Sequence, residues 1–233
     1  MTMIADNLHA VRARIQQACA EAGRPVDAVQ LLAVSKTFGP EAVQAAFDAG
    51  QRAFGENYIQ EAVEKIAILA GLPIEWHCIG PIQSNKTRLV AEHFHWAHTV
   101  DRLKIAQRLS EQRPDHLPPL QVCIQVNVDG GATKSGVTPQ EALALAQAVA
   151  QLPRLQLRGL MCIPEPAPDF VAACAVFSRG RALFDALCKA GLPLDTLSMG
   201  MSADLDAAVS SGSTLVRVGT AIFGGRSYPA AVA

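Results

Sequence analysis

The chain has no excess of charge of either sign and no run rich in lysine or arginine. Its 233 residues include 20 lysines and arginines against 21 aspartates and glutamates, a formal net charge of −1. Such a balance does not indicate binding to nucleic acid or to an anionic membrane surface. We therefore expect neither as a partner.

Long apolar runs and targeting signals are also missing. Half of the residues are apolar, 50%, yet the apolar stretches are too short and too interrupted to span a bilayer. Residues 1–8 include Asp6 and lack the basic start and apolar core of a signal peptide. These absences predict a cytoplasmic protein with no membrane partner.

The six cysteines are scattered, and no C-x-x-C pair occurs. This spacing argues against zinc and redox motifs and favours reduced structural cysteines. His93, His95 and His98 lie close in sequence, but their spacing does not converge on a metal ion, so we predict no metal site. We expect His77 to be a packed neutral residue, with a pocket-lining role as the alternative.

Strand-like apolar runs alternate with helical patterns along the chain. The strand-like runs are residues 30–35, 52–55, 74–79, 95–100, 120–128, 155–163, 194–199 and 214–223. The helical patterns are residues 40–50, 57–70, 83–93, 101–112, 138–151, 169–190 and 202–211, after an N-terminal helix over 4–22. This alternation indicates parallel strands joined by right-handed crossovers.

Eight such units in 233 residues are close to the length of a closed (β/α)8 TIM barrel, typically about 250 residues. An open doubly wound sheet is the main competitor. No G-x-G-x-x-G follows the first strand, which weakens a dinucleotide-binding version of that sheet. No linker divides the chain, so we predict one α/β barrel domain over residues 1–233 with an extra N-terminal helix.

Function in such a barrel belongs to the loops that follow the strands. Lys36 ends the first strand-like run, just before a turn and helix that open at Gly39. An amine at the rim of an apolar interior is partly desolvated, which lowers its pKa and makes it a nucleophile toward aldehydes. The alternative is an interior lysine paired with a carboxylate.

Two later strand ends suit an anion. Ser202 follows the seventh strand as a predicted N-cap, and Gly200 allows close backbone approach. Gly219 and Thr220 end the eighth strand with an unhindered N–H and a hydroxyl. The loops after strands seven and eight are the usual phosphate site of these barrels. The alternatives are that Ser202 only caps a helix and that Gly219 only permits tight packing.

Arg217 lies inside an apolar strand, on the same face as Leu215 and Gly219. If that face points inward, the buried guanidinium needs an interior carboxylate or a ligand atom; if it points outward, the side chain is exposed. A lysine for an aldehyde, a phosphate cradle and a buried cation together suggest pyridoxal 5′-phosphate (PLP), with Lys36 as its Schiff-base lysine. Arg217 at the pyridine nitrogen would keep that nitrogen unprotonated and weaken the ring as an electron sink.

Longer motifs point to one family. They are residues 32–37 (LAVSKT), 54–61 (FGENYIQE), 76–86 (WHCIGPIQSNK), 125–127 (QVN), 134–136 (KSG), 159–161 (GLM), 198–204 (SMGMSAD) and 217–224 (RVGTAIFG). On these motifs the chain resembles the pyridoxal phosphate homeostasis protein family, which is related to the barrel domain of alanine racemase. The resemblance implies a (β/α)8 barrel that holds PLP through Lys36, Asn57, Ser202, Arg217, Gly219 and Thr220. Asn57 would lie beside the ring, and we assign no role to Asn85, Lys86 or Lys134.

The resemblance also implies a function in intracellular PLP (vitamin B6) homeostasis and amino-acid balance, with no committed reaction and no catalytic residue. PLP-dependent apo-enzymes are candidate protein partners, and we expect a monomer. The alternative is a PLP-dependent racemase or related fold-type III enzyme, which needs a second acid–base opposite the lysine. The chain length leaves no room for the β-rich second domain of alanine racemase, and the two tyrosines, Tyr58 and Tyr228, are poorly placed for this role. A barrel aldolase with an imine on Lys36 is a third hypothesis, which PLP absorbance would separate.

Overall fold

Eight short strands form the centre of the molecule. The computed structural model describes residues 3–131 and 134–225. The strands are Gln30–Val34 (β1), Ala53–Glu56 (β2), Glu75–Cys78 (β3), Trp96–Val100 (β4), Leu120–Gln125 (β5), Leu155–Met161 (β6), Thr196–Met201 (β7) and Leu215–Val218 (β8). Each strand is parallel to the next, and β8 pairs with β1, so the sheet closes into a barrel. The predicted fold class is confirmed.

Helices follow the strands and cover the barrel. They are Met3–Glu21 (α1), Pro40–Asp48 (α2), Ile59–Ile68 (α3), Thr87–His93 (α4), Leu103–Gln112 (α5), Pro139–Ala150 (α6), Phe170–Lys189 (α7), Leu205–Ser210 (α8) and Thr220–Phe223 (α9), with a 3-10 helix at Ser84–Lys86. The predicted N-terminal helix is α1, which packs against α2, α8 and α9. Within the described parts of the chain, no helix is both long and apolar enough to cross a membrane.

Period-two alternation along the strands divides the buried residues into two regions. Phe54 of β2 points outward and joins the apolar layer between the strands and the helices, which is one continuous cluster. Ala53, one residue earlier, points into the barrel and packs with Leu32 and Leu215 in a separate small cluster. We call these two regions the outer layer and the barrel interior.

Several predicted boundaries were wrong, among them the following three. The fifth strand ends at Gln125 rather than at residue 128, because Val137 takes over the pairing and its N–H bonds to the Gln125 carbonyl at 2.9 Å. The eighth ends at Val218 rather than at residue 223, because the next residues turn into α9, where the Ile222 N–H donates to the Gly219 carbonyl at 2.9 Å. Helix α8 begins at Leu205 rather than near residue 202.

Candidate functional site

A cavity of about 290 Å³ lies at the C-terminal ends of the strands. Its lining residues are Val34, Lys36, Asn57, Ile79, Ile163, Met201, Ser202, Ala203, Arg217, Gly219 and Thr220. All six residues predicted from the sequence to bind a cofactor are among them. They come from the ends of β1, β2, β7 and β8, so it is the closure of the barrel that brings them together.

Lys36 lies two residues beyond the end of β1, in a turn, and is half-buried. The next residue, Thr37, has φ 69°, in the left-handed region that β-branched residues rarely adopt. Such a conformation persists only where surrounding contacts enforce it. On the other side, the Ser35 hydroxyl donates to Glu56 Oε1 at 2.6 Å, and the Ser35 carbonyl accepts from Lys65 Nζ at 3.1 Å. These contacts fix the backbone that presents Lys36.

Glu56 and Lys65 form a buried ion pair beneath this turn. Lys65 Nζ lies 2.6 Å from Glu56 Oε1, and the two side chains are 7% and 0% exposed. Burial raises the pKa of Glu56, while the charge of Lys65 and its hydrogen bond oppose that rise. The sequence analysis missed this pair. Its signal was a glutamate that ends the apolar strand β2 one residue before Asn57.

Asn57 contributes an unsatisfied acceptor. Its Oδ1 is buried and accepts no hydrogen bond from the described residues. Its backbone packs so closely on Gly80 that a Cβ there would lie 2.1 Å from the Asn57 carbonyl oxygen. Buried polar atoms are almost always hydrogen-bonded, so this unpaired oxygen is unusual, and Asn57 is one of the residues that line the cavity.

The hydroxyls of Ser202 and Thr220 face each other, with Thr220 Oγ1 3.5 Å from Ser202 Oγ. The prediction that Ser202 is an N-cap is wrong, because Asp204 holds that position and its Oδ1 accepts from the Met201 N–H at 2.6 Å. Gly200 has φ 95°, and a Cβ there would clash with Ala208, so it serves the turn rather than approach to a ligand. The hydroxyl pair still suits the oxygens of a phosphate.

Gly219 lies directly before Thr220, and its backbone packs tightly on β1. A Cβ on Gly219 would lie 3.1 Å from the Val34 carbonyl oxygen, so the tight-packing explanation of this glycine is supported. Because Gly219 also lines the cavity, packing and ligand contact are compatible here.

Arg217 points inward and is 4% exposed, as the inward alternative predicted. Its Nη1 donates to Ser198 Oγ at 2.7 Å and its Nη2 to the Cys162 carbonyl at 3.0 Å. Both partners are neutral, so the interior carboxylate considered in the sequence analysis is not its hydrogen-bond partner. Burial lowers the pKa of Arg217, and the charge of Asp204 partly offsets this. A cation thus reaches the cavity with no ion-pair contact to a described carboxylate.

The remaining predicted residues lie elsewhere. His77 is fully buried in the barrel interior, which bears out the prediction of a packed residue, and burial lowers its pKa. Lys86 lines a neighbouring cavity with Tyr58, whereas Lys134 pairs with Glu165 at 3.1 Å. Tyr228 lies outside the described residues. All six cysteines are free.

The groups that line the cavity fit PLP. Lys36 offers an amine for an aldehyde, Arg217 a fixed cation for the pyridine nitrogen, and Asn57 an unpaired acceptor. The hydroxyls of Ser202 and Thr220 offer donors for a phosphate. These residues line one cavity, and all of them belong to the described part of the chain.

Comparison with known proteins gives one consistent result. The family model "Alanine racemase, N-terminal domain" matches residues 7–227. The pyridoxal phosphate homeostasis protein of Pseudomonas aeruginosa is 61% identical over 230 residues, 99% of each chain. The protein of the same name from Escherichia coli K12 is 53% identical over 231 residues, 98% of this chain and 99% of its own.

Among solved structures, PipY of Synechococcus elongatus with PLP bound is 37% identical. It superposes with a TM-score of 0.82 over 95% of this chain and 100% of its own. The resemblance seen in the sequence motifs is therefore confirmed. By the extent of these matches, the chain belongs to the alanine racemase N-terminal domain family and, within it, to the pyridoxal phosphate homeostasis proteins.

Proposed function

We propose that this protein binds PLP as a Schiff base on Lys36 and acts in intracellular PLP homeostasis and amino-acid balance, without a committed reaction. The observation that carries the proposal is the convergence of an amine, a buried cation and a hydroxyl pair on one cavity of about 290 Å³, which Asn57 also lines. The PLP-bound relative supports it.

Each residue has a distinct part. Lys36 supplies the amine, held by the turn beside Thr37. Ser202 and Thr220 would hold the phosphate through their hydroxyl groups, together with the N–H of Gly219. Arg217 would hold the pyridine nitrogen as a donor that stays protonated, and Asn57 would lie beside the ring. Bound PLP supplies an aldehyde that condenses with amines and an electron-withdrawing ring.

Two features argue for a carrier rather than a racemase. Lys36 and Arg217 are the titratable side chains among the described residues that line the cavity, and an arginine does not exchange protons at neutral pH. Tyr58 is 50% exposed and lines the neighbouring cavity. Thr220 is exposed, so the phosphate end of the cavity opens toward solvent. This opening would allow PLP to leave for PLP-dependent apo-enzymes.

The visible spectrum of Lys36→Ala tests the proposal. Wild-type protein mixed with PLP should absorb in the region of protein-bound PLP Schiff bases, and Lys36→Ala should lose that band. Lys86→Ala is the matched control, because Lys86 lines the adjacent cavity with Asn57. An unchanged band in Lys36→Ala, or its loss in Lys86→Ala alone, would refute the role of Lys36.

Deuterium incorporation at Cα of L-alanine in heavy water, with chiral analysis of the product, tests the absence of a racemase reaction. One acid–base residue typically contributes about 10²–10⁴-fold to rate, so we expect negligible turnover. Racemisation at about 10 s⁻¹, an ordinary enzyme rate, would establish the alternative.

A further inference from the structure

A continuous chain of hydrogen bonds crosses the barrel interior. Glu75, the first residue of β3, lies at the N-terminal end of the barrel with its side chain 43% exposed. Its Oε1 is 2.8 Å from His77 Nε2, and His77 Nδ1 is 2.9 Å from His98 Nε2. His98 Nδ1 is 3.1 Å from Ser198 Oγ, which also accepts from Arg217 Nη1 at 2.7 Å. The chain therefore joins the N-terminal end to the proposed PLP cavity.

The donors in this hydrogen-bond chain can point in only one direction while Glu75 is ionised and both histidines are neutral. A carboxylate only accepts, and a neutral histidine has one donor and one acceptor nitrogen. His77 must then donate from Nε2 to Glu75 and accept at Nδ1 from His98 Nε2–H. His98 Nδ1 in turn accepts from the Ser198 hydroxyl. Both histidines are therefore Nε2–H tautomers, and a lone pair of Ser198 faces Arg217.

Burial supports the neutral form of both histidines. His77 and His98 are each 0% exposed, and burial lowers the pKa of both, although the hydrogen bond and charge of Glu75 oppose this at His77. The charge of Arg217 lowers the pKa of His98 further. Reversal with a neutral His77 would leave its Nε2 as a bare lone pair facing the Glu75 carboxylate, so reversal requires an added proton on Glu75 or on His77.

The other groups around Glu75 favour its ionised form. The hydrogen bond from His77 is the largest influence and lowers the pKa of Glu75. The Trp96 side chain also hydrogen-bonds Glu75 and lowers its pKa, whereas partial burial of Glu75 acts in the opposite direction. Arg158 lies over the Trp96 ring at 4.9 Å and interacts with the Glu75 charge.

Polar groups in this position need an explanation, because side chains with branched apolar groups usually fill such a barrel. A buried polar group is costly unless it is hydrogen-bonded. We propose that Glu75 is a positioning residue for Arg217: through His77, His98 and Ser198 it turns an acceptor toward the guanidinium and so fixes the cation that faces the PLP cavity. The assignment of PLP to that cavity rests on the proposed function, whereas the direction of the hydrogen-bond chain does not.

Nitrogen-15 NMR of the histidine side chains in PLP-free protein tests the direction. Two-bond ¹H–¹⁵N correlations identify the protonated nitrogen of each ring. We expect Nε2–H at both His77 and His98 in the wild type. An Nδ1–H tautomer or an imidazolium at either ring, at neutral pH, would overturn the proposal without any mutant.

Variants of Glu75 test, in the same experiment, whether Glu75 sets the tautomers of His77 and His98. Glu75→Leu removes the final acceptor, so a second tautomer should appear at both rings. Glu75→Gln keeps an acceptor oxygen and should retain the wild-type tautomers. Glu64→Leu, an exposed site on α3, is the matched control and should change nothing. Unchanged tautomers in Glu75→Leu would refute the role of Glu75.

PLP binding supplies the second readout. Glu75→Leu should weaken PLP retention about threefold to tenfold, the effect of one misdirected hydrogen bond, and should shift the visible band. Glu75→Gln should recover most of both. If the wild type bound no PLP, the proposed function would fail. The NMR result would still decide the direction of the hydrogen-bond chain. Normal PLP retention and an unshifted band in Glu75→Leu would refute the positioning role.

Discussion

The outer layer and the barrel interior both consist of buried residues, yet they are built differently. The outer layer is a single apolar cluster, and the charged pair it contains, Lys65 and Glu56, is in direct contact at 2.6 Å. The interior holds two small apolar clusters, and the polar chain of His77, His98 and Ser198 passes beside them. Its buried cation, Arg217, contacts neutral partners.

This difference gives the two regions different roles: the outer layer provides folding stability, and the barrel interior sets the orientation of polar groups. Continuous apolar packing in the outer layer contributes to the free energy of folding in proportion to buried area. A polar chain in the interior adds little net stability, because its groups exchange hydrogen bonds with water for hydrogen bonds with each other. What it adds is a fixed direction for each donor. Substitutions in the outer layer should therefore change stability, and substitutions in the interior should change how a cofactor is held.

Breaking the buried ion pair should have the largest effect on stability. Lys65→Met leaves the Glu56 carboxylate without its cation and should lower the free energy of unfolding by about 3–5 kcal/mol. The double variant Lys65→Met/Glu56→Gln removes both charges and should recover much of that loss. Urea unfolding measures both. A loss below about 1 kcal/mol in the single variant would show that the ion pair contributes little to the stability of the outer layer.

An apolar truncation in the outer layer should leave PLP binding unchanged. Leu109 is fully buried in that layer, and Leu109→Ala should cost about 2–5 kcal/mol of unfolding free energy. The visible band of bound PLP should stay in place in the folded variant. A shift of that band comparable to the shift in Glu75→Leu would remove the distinction between the two regions.

At the cavity mouth, the hydroxyl variants should show a smaller and ligand-specific effect. Ser202→Ala and Thr220→Val should each weaken PLP retention by about 1.5–3 kcal/mol, the value of a hydrogen bond to a charged group. Retention of pyridoxal, which lacks the phosphate, should change much less. Equal weakening of both ligands, measured by equilibrium dialysis, would contradict a phosphate role.

The smallest predicted effect is a pH slope from the interior histidines. Their pKa values are lowered in the folded state, so below about pH 6.5 the unfolded chain binds more protons and the folded protein loses stability. Each histidine should contribute up to about 1.4 kcal/mol per pH unit until its folded pKa is reached.

His98→Gln should make this acid slope shallower, whereas His116→Gln, at an exposed site, should not. Glu75 acts in a lower window, because its lowered pKa gives stability that is lost as the pH falls below about 4.5. Equal slopes in wild type and His98→Gln would show that His98 is not held neutral by burial.

The sequence, together with the family resemblance, was sufficient for the barrel and for six of the eleven residues that line the cavity. The strand runs were visible as apolar segments, and the residues that follow them, Lys36 and Asn57 among them, converge in any closed parallel barrel. The structure alone revealed that Asp204 rather than Ser202 occupies the N-cap position of α8, because that position depends on where the turn ends.

The histidine chain could not be predicted, because His98 of β4 and Ser198 of β7 lie on strands that are not neighbours. Only the closed barrel brings them within 3.1 Å. The available signal was weak: single polar residues on apolar strands, each of which also fits a solitary buried histidine or serine. The Glu56–Lys65 pair left a similar signal, a glutamate at the end of an apolar strand.

We propose above all that PLP is held on Lys36. Borohydride reduction of the PLP-loaded protein, followed by proteolysis and mass spectrometry, tests it most directly. We predict that the mass of reduced PLP is found on the peptide that contains Lys36 and is absent from the unreduced control. Reduced PLP on a peptide containing Lys86 or Lys134 instead, or on no lysine, would contradict the account.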